Sequence, residues 1–131
     1  MAAEIRVIYG DTDQAGIVYY GNYLRFFEAA RGAFLRERGR SYLEVEALGY
    51  TMPVMEAHAR YVRPARYDDL LVVEARLEAV RGASIRFGYD VVRAGMSIAE
   101  GWTEHACLGP RGRPTRLPAE LRQLLERTPG V

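Results

Sequence analysis

The sequence predicts an α+β domain in which a curved antiparallel β-sheet wraps around one long central α-helix. Three observations carry that expectation. At 131 residues and 14.8 kDa the chain has room for a single domain covering residues 1–131. With 49% apolar and 27% charged residues it can bury a true core, unlike disordered or disulfide-scaffolded chains. One long stretch with an apolar helical stripe is followed by strand-like segments joined by short turns, and such a stripe needs a sheet to bury against.

The elements follow in order. Ile5, Val7 and Tyr9 alternate with Glu4, Arg6 and Ile8, which reads as a short strand ending at Gly10. A loop, Asp11 to Gly16, comes next. From Val18 or Asn22 to Arg38 the period becomes helical: Tyr23, Phe27, Ala30 and Phe34 form one stripe, with Arg25, Glu28, Arg31 and Arg36 expected on other faces. Arg36 and Arg38 suit the negative pole of that helix before Gly39 ends it. Ser41 with Glu44 matches a capping box opening a short helix that Gly49 closes.

Strands are expected near 51–62, 70–81, 84–94 and 97–109, separated by Arg63-Pro64-Ala65, Arg81-Gly82-Ala83 and Ala94-Gly95-Met96. Leu71, Val73, Ala75, Leu77 and Ala79 should share a buried face, as should Ile85, Phe87, Tyr89 and Val91. Pro118 suits the first position of a terminal helix carrying Leu121, Leu124 and Leu125. A small open sheet has edges to protect, and pairing with a second copy does so; a homodimer at minimum is expected.

Composition removes several function classes. All 18 cations are arginine, so a Schiff-base or pyridoxal-phosphate enzyme and a Walker-type nucleotide site lack the lysine they need. A net charge of +1 argues against a nucleic-acid binder. Cys107 is the single cysteine, and with two histidines there is no cluster of zinc-ligand spacing, so neither a disulfide nor a metal site is expected. The N-terminus has no basic segment followed by an apolar stretch, and no run of about 20 apolar residues exists; no membrane span and a cytoplasmic location are expected.

The densest polar constellation is Gly10-Asp11-Thr12-Asp13-Gln14-Ala15-Gly16, between a strand and the long helix. A calcium loop fails because Ala15 and Asn22 occupy ligand positions, and an Asp-x-Asp phosphotransferase lacks its lysine. Asp11 or Asp13 as a plain helix cap uses the same local physics as a catalytic reading. In the latter, unpaired N–H groups at the helix start polarise a carbonyl while a carboxylate a few residues earlier attacks it or activates water, and Gly16 lets backbone approach a ligand.

The run Asp11 to Leu24 (DTDQAGIVYYGNYL) resembles the signature of the 4-hydroxybenzoyl-CoA thioesterase-like family, a branch of the hotdog-fold acyl-CoA thioesterases. The likeness continues through Tyr61 to Asp69, Arg81-Gly82-Ala83-Ser84, Gly112-Arg113-Pro114 and Leu117-Pro118, nearly the whole chain in order. The resemblance implies a hotdog fold, an acyl-CoA substrate hydrolysed to a carboxylic acid and free CoA, no cofactor, and a dimer doubled to a homotetramer. It makes Asp13 the nucleophile or general base, and Tyr20 the residue whose backbone N–H polarises the thioester carbonyl. Many members of the bacterial short-chain branch carry histidine there; tyrosine keeps the backbone role and offers no imidazole. Gly16, Ile17 and Val18 fall along the substrate, Asn22 fastens loop to helix, and Asp11 supports from behind.

The phosphates of coenzyme A must then meet arginines: Arg60, Arg63, Arg66, Arg81 and Arg86 are the candidates, with Ser84 as a hairpin donor. Each alone also suits a solvated strand face. His58, His105 and Cys107 lack a catalytic context, and Ser41, Ser84 and Ser97 lie outside any Gly-x-Ser-x-Gly elbow. The competing readings are a hotdog hydratase or dehydratase, which wants a histidine beside the carboxylate, and a non-catalytic acyl-thioester-binding subunit.

Overall fold

A computed structural model describes residues 2–127 of the chain. It contains strand β1 (Ala3–Arg6), helix α1 (Asn22–Glu37), helix α2 (Tyr42–Ala47), strands β2 (Val54–Tyr61), β3 (Leu70–Arg81), β4 (Ser84–Arg93) and β5 (Met96–Ala106), and helix α3 (Ala119–Glu126). The five strands form one antiparallel sheet in the order β1-β3-β4-β5-β2. The α+β architecture of a sheet packed around a long helix is therefore the one expected from periodicity.

α1 buries its stripe on the sheet. Phe27 stacks on Tyr89 with centroids 4.4 Å apart, and Phe34 meets Phe87 edge-on at 5.4 Å. Gly101 of β5 makes this approach possible, because a Cβ there would collide with the His58 carbonyl and stand 2.8 Å from the Phe27 ring. Leu121, Leu124 and Leu125 of α3 complete the core, and Ser41 caps α2 by accepting the Glu44 N–H at 3.4 Å.

Four expectations need correction, and one open alternative is settled. β1 stops at Arg6, and Tyr9 lies in a single 3-10 turn, Tyr9–Asp11, with its ring exposed and stacked 3.8 Å from Tyr67. Of the two starts expected for α1, Val18 or Asn22, the helix takes Asn22, because the chain first turns through Tyr19 to Gly21. β2 does not pair with β3, its successor in sequence, but with β5 at the far edge. A bulge between Leu77 and Ala79 shifts the register, so Ala79 pairs with Arg86 on the outer face and Val80 takes the inward place opposite Ile85. Arg31 is buried at 7% exposure instead of occupying a wet helix face.

That burial is organised by a chain of hydrogen bonds. The Arg31 Nη1 donates to Tyr89 Oη at 2.9 Å, Tyr89 Oη meets Thr103 Oγ1 at 2.6 Å, and Thr103 Oγ1 meets His105 Nε2 at 2.7 Å. His105 Nδ1 lies 2.9 Å from the Met52 carbonyl, which only accepts, so Nδ1 carries the proton. A neutral ring then leaves Nε2 as acceptor, and each hydroxyl donates in one direction, from Tyr89 to Thr103 to His105. Burial first, and the Arg31 charge with it, hold the His105 pKa below the ordinary histidine value, against the opposing pull of the Met52 carbonyl and Glu104.

Candidate active site

The loop after the 3-10 turn folds as a small hairpin. Asp13 N–H donates to the Ile17 carbonyl at 2.9 Å, and Gly16 N–H returns to the Asp13 carbonyl at 3.0 Å. Gly16 closes this turn at φ +80°, where a side chain would be strained. The Asp13 side chain adds an Asx turn: Oδ1 accepts the Ala15 N–H at 2.9 Å. One carboxylate oxygen is thereby pinned, while Oδ2 has no partner among the described residues.

Asp11 anchors this hairpin to α1. It is 5% exposed; Oδ2 accepts the Ile8 N–H at 3.0 Å and Oδ1 accepts from the Arg25 guanidinium at 2.5 Å. Its carbonyl accepts Tyr19 N–H at 2.8 Å and Asn22 Nδ2 at 2.9 Å. The Asp11 carboxylate is thus committed to holding the loop, and Asn22 ties the loop to the helix start.

No side chain caps α1 at Gly21. Asn22 N–H donates to the Tyr19 carbonyl at 2.9 Å and Tyr23 N–H to the Tyr20 carbonyl at 3.3 Å, while the amides of Tyr20 and Gly21 donate to no described group. The Tyr20 carbonyl also accepts from the Tyr61 hydroxyl at 3.1 Å, which joins the helix start to the end of β2.

A cleft of about 430 Å³ opens here, with Asp13, Ile17, Val18 and Tyr20 on one side and Tyr23 and residues 61–64 on the other. Tyr61 meets Tyr20 edge-on at 6.2 Å and Tyr23 at 5.3 Å. The Tyr23 phenol is pushed up to about 12, by burial first and then by Tyr61, and Tyr61 is raised by burial and then Tyr20. Both phenols stay neutral near pH 7. Asp13 supplies the carboxylate on these walls and Arg63 the cation, its Nη1 donating to the Ser97 carbonyl at 2.8 Å.

The structure therefore brings Asp13, Ile17, Val18, Tyr20 and Arg63 to one cleft. Gly16 sits beside it, with Arg66 Nη1 3.9 Å from where its Cβ would be. Arg60, Arg81, Ser84 and Arg86 do not line it. Arg60 pairs with Glu100 at 3.1 Å; Arg86 pairs with Glu104 at 2.6 Å and lies over the Trp102 ring. Ser84 Oγ donates to the Arg81 carbonyl at 3.3 Å within the β3–β4 hairpin. Tyr23, Tyr61, Val62 and Pro64 are wall residues that site reasoning from sequence passed over, although Tyr61 to Pro64 stands inside a motif and Tyr23 on the apolar stripe. Cys107 is buried, which pushes its thiol pKa up and leaves no thiolate nucleophile at neutral pH.

The family model of the "Thioesterase superfamily" matches residues 15–99. The chain belongs to that superfamily. Its similarity to the acyl-CoA thioesterase YbgC of Haemophilus influenzae is 33% identity over 122 residues, 90% of this chain and 88% of the other. The acyl-CoA thioester hydrolase YbgC of Shigella flexneri is 32% identical over 125 residues, 91% of this chain and 93% of that one. A hypothetical protein of Aquifex aeolicus, solved by crystallography, superposes with a TM-score of 0.91 at 32% identity, covering 96% of this chain and 99% of that one. The thioesterase fold of these neighbours is the hotdog: a five-stranded antiparallel sheet around a long helix.

Proposed function

We propose that this thioesterase hydrolyses acyl-CoA thioesters in the Asp13 cleft, releasing a carboxylic acid and free coenzyme A. The observation that carries the reading is the meeting on one largely apolar cleft of Asp13, one oxygen held and one unpartnered, and Tyr20, whose amide is unspent, with the unspent amide of Gly21 next in the chain. Likeness to relatives named acyl-CoA thioesterase supports the substrate class.

In the reaction the thioester carbonyl oxygen lies against the Tyr20 and Gly21 N–H groups. Asp13 Oδ2 takes a proton from water as the water oxygen bonds to the carbonyl carbon. The carbonyl electron pair moves to oxygen, where the amides stabilise it; one such donor is worth roughly 10²–10³ in rate. The intermediate collapses by breaking the carbon–sulfur bond, and the proton on Asp13 passes to the thiolate. Direct attack by Oδ2 uses the same atom and the same amides: the carbon–sulfur bond breaks to release the thiolate, and water then opens the mixed anhydride, restoring the Asp13 carboxylate, releasing the acid and supplying the proton that the thiolate takes up. Either route is complete with water and this chain's own groups, so no resident cofactor is assigned.

Arg63 at the cleft and Arg66 beside Gly16 are the cations assigned to the coenzyme's phosphates, with Arg60, Arg81 and Arg86 held back in ion pairs or at the far hairpin. Among the described residues no helix is long and apolar enough to cross a membrane; a cytoplasmic enzyme acting on a dissolved thioester is the reading we adopt. Its partner is a second copy: β2 is an edge strand exposed on both faces. The test is thiol release from a panel of acetyl-, hexanoyl-, benzoyl- and 4-hydroxybenzoyl-CoA. Turnover of at least one above the uncatalysed rate is expected; tight CoA binding with no turnover of any would replace the enzyme with a binding subunit.

A further inference from the structure

A second cavity, about 420 Å³, shares no lining residue with the Asp13 cleft. Arg31 and Glu28 of α1, Tyr42 and Glu46 of α2 and the segment 50–54 wall it. Its size lies within the roughly 300–1,000 Å³ of small-molecule sites.

Arg31 is the unusual member. It is more than nine-tenths buried, yet no carboxylate of the described residues lies within ion-pair distance of it; Glu28 and Glu46 are exposed and do not bridge to it. Its Nε donates to Tyr42 Oη at 3.2 Å and its Nη1 to Tyr89 Oη at 2.9 Å. Nη2 has no partner among the described residues, and it is not sealed either, since the one fully occluded side-chain orphan among those residues is Arg38 Nε, outside this cavity. A guanidinium has five donors and cannot give up its charge, so burying it without an anion is costly unless one arrives from outside. Desolvation works against its charge, but the Tyr89 and Tyr42 oxygens outweigh it and hold the pKa above the ordinary arginine value.

The donors are also aimed. The hydrogen-bonded chain through Tyr89, Thr103 and His105 to the Met52 carbonyl fixes the guanidinium plane from behind. Tyr42 accepts from Arg31 Nε, and its own hydroxyl hydrogen has no acceptor among the described residues. Two kinds of donor therefore converge on one space: the free N–H groups of Arg31 and the Tyr42 O–H. A planar, two-oxygen anion matches that fork.

We propose that this cavity is a receptor for the carboxylate of a small organic acid, held by Arg31 Nη2 with Tyr42 Oη as second donor. The carboxylate has two sources, a free acid or the far end of an acyl group that carries its own carboxylate, and both present the same chemistry to Arg31.

The binding arm of the test needs no thioesterase activity. Benzoate and glutarate are titrated calorimetrically into the wild type, Tyr42→Phe and Arg31→Gln at low salt, with benzamide as the uncharged control. Expected are saturable binding of a carboxylate to the wild type, weakening by about fivefold or more in Tyr42→Phe, loss in Arg31→Gln, and no binding of benzamide. Should Arg31→Gln fail to fold, Tyr42→Phe keeps the ring packing and decides alone. Equal affinities in wild type and Tyr42→Phe, or no carboxylate binding to the wild type, overturn the proposal.

A kinetic arm, which rests on the acyl-CoA reading, separates the sources by comparing glutaryl-CoA with pentanoyl-CoA. A loss of kcat/KM in Arg31→Gln confined to glutaryl-CoA assigns the carboxylate to the substrate. An equal response of both thioesters, with the calorimetric difference intact, assigns it to a free acid.

Discussion

Gly101 decides how closely α1 approaches the sheet. Because any Cβ there meets the His58 carbonyl and the Phe27 ring, Gly101→Ala must push apart the contact on which the Phe27–Tyr89 stack depends. The expected cost is about 1–3 kcal/mol, read as a lower urea midpoint at unchanged slope. His105 makes a different prediction, in pH. Its folded pKa is depressed from 6.5, so in acid the unfolded chain binds a proton that the folded chain refuses. The stability it contributes is complete above about pH 6.5 and is lost as pH falls through that value toward the folded pKa. The neighbours are Arg31 and Tyr89, reached through Thr103, the Met52 carbonyl and Glu104. Urea midpoints measured between pH 7.5 and pH 5 should therefore fall for wild type, and fall less steeply for His105→Gln; parallel curves would contradict the neutral-histidine assignment. Residues such as these are hard to read in a sequence: a lone strand histidine is ordinary, and only the acceptor-only Met52 carbonyl fixes its tautomer. Arg31 did leave a signal, since it stands four residues after Phe27 and so adjoins the apolar stripe.

At the scale of elements, the loop from Asp11 to Tyr20 works because it is tied down at both ends. Asn22 carries one tie, to the Asp11 carbonyl at 2.9 Å. Asn22→Ala should cost about 0.5–1.5 kcal/mol of stability and lower kcat more than it changes KM, measured by steady-state thiol release beside thermal melting. A selective rise in KM would mean that Asn22 contacts substrate instead. Element existence was legible along almost the whole chain, because period-2 and period-3.6 patterns record which faces are dry. What the pattern hid was register and pairing. The bulge that turns Ala79 outward and Val80 inward leaves no compositional mark, and β2 pairs with β5 across the sheet because the chain crosses over between Tyr61 and Leu70. The segment from Asp11 to Gly16 was legible as a loop, with Gly16 read as room for a ligand; the tight turn that Gly16 closes at positive φ was not, and Tyr23 and Tyr61 came together only once α1 met the end of β2.

For the molecule as a whole, the open edge is the dominant fact. Val54, Met55 and Tyr61 of β2 are exposed, and among the described residues the strand's outer backbone edge has no neighbouring strand. A self-paired edge would continue the sheet through a two-fold axis and cover these side chains. Sedimentation at micromolar protein should therefore give at least twice the 14.8 kDa chain mass, with Ala57→Pro shifting the population toward monomer; a wild-type monomer would contradict the pairing. The absence of lysine, which first excluded other chemistries, leaves arginine as the cation for every anionic group this enzyme meets. Above all, the molecule brings a half-free carboxylate and Tyr20, whose amide is unspent, to one cleft, and Asp13→Asn tests that union most directly. Hydrolysis by the Asp13 carboxylate predicts that kcat for the best acyl-CoA substrate falls by about 10²–10⁴ while KM and the thermal midpoint stay near their wild-type values. A variant that releases thiol as fast as the wild type would contradict it.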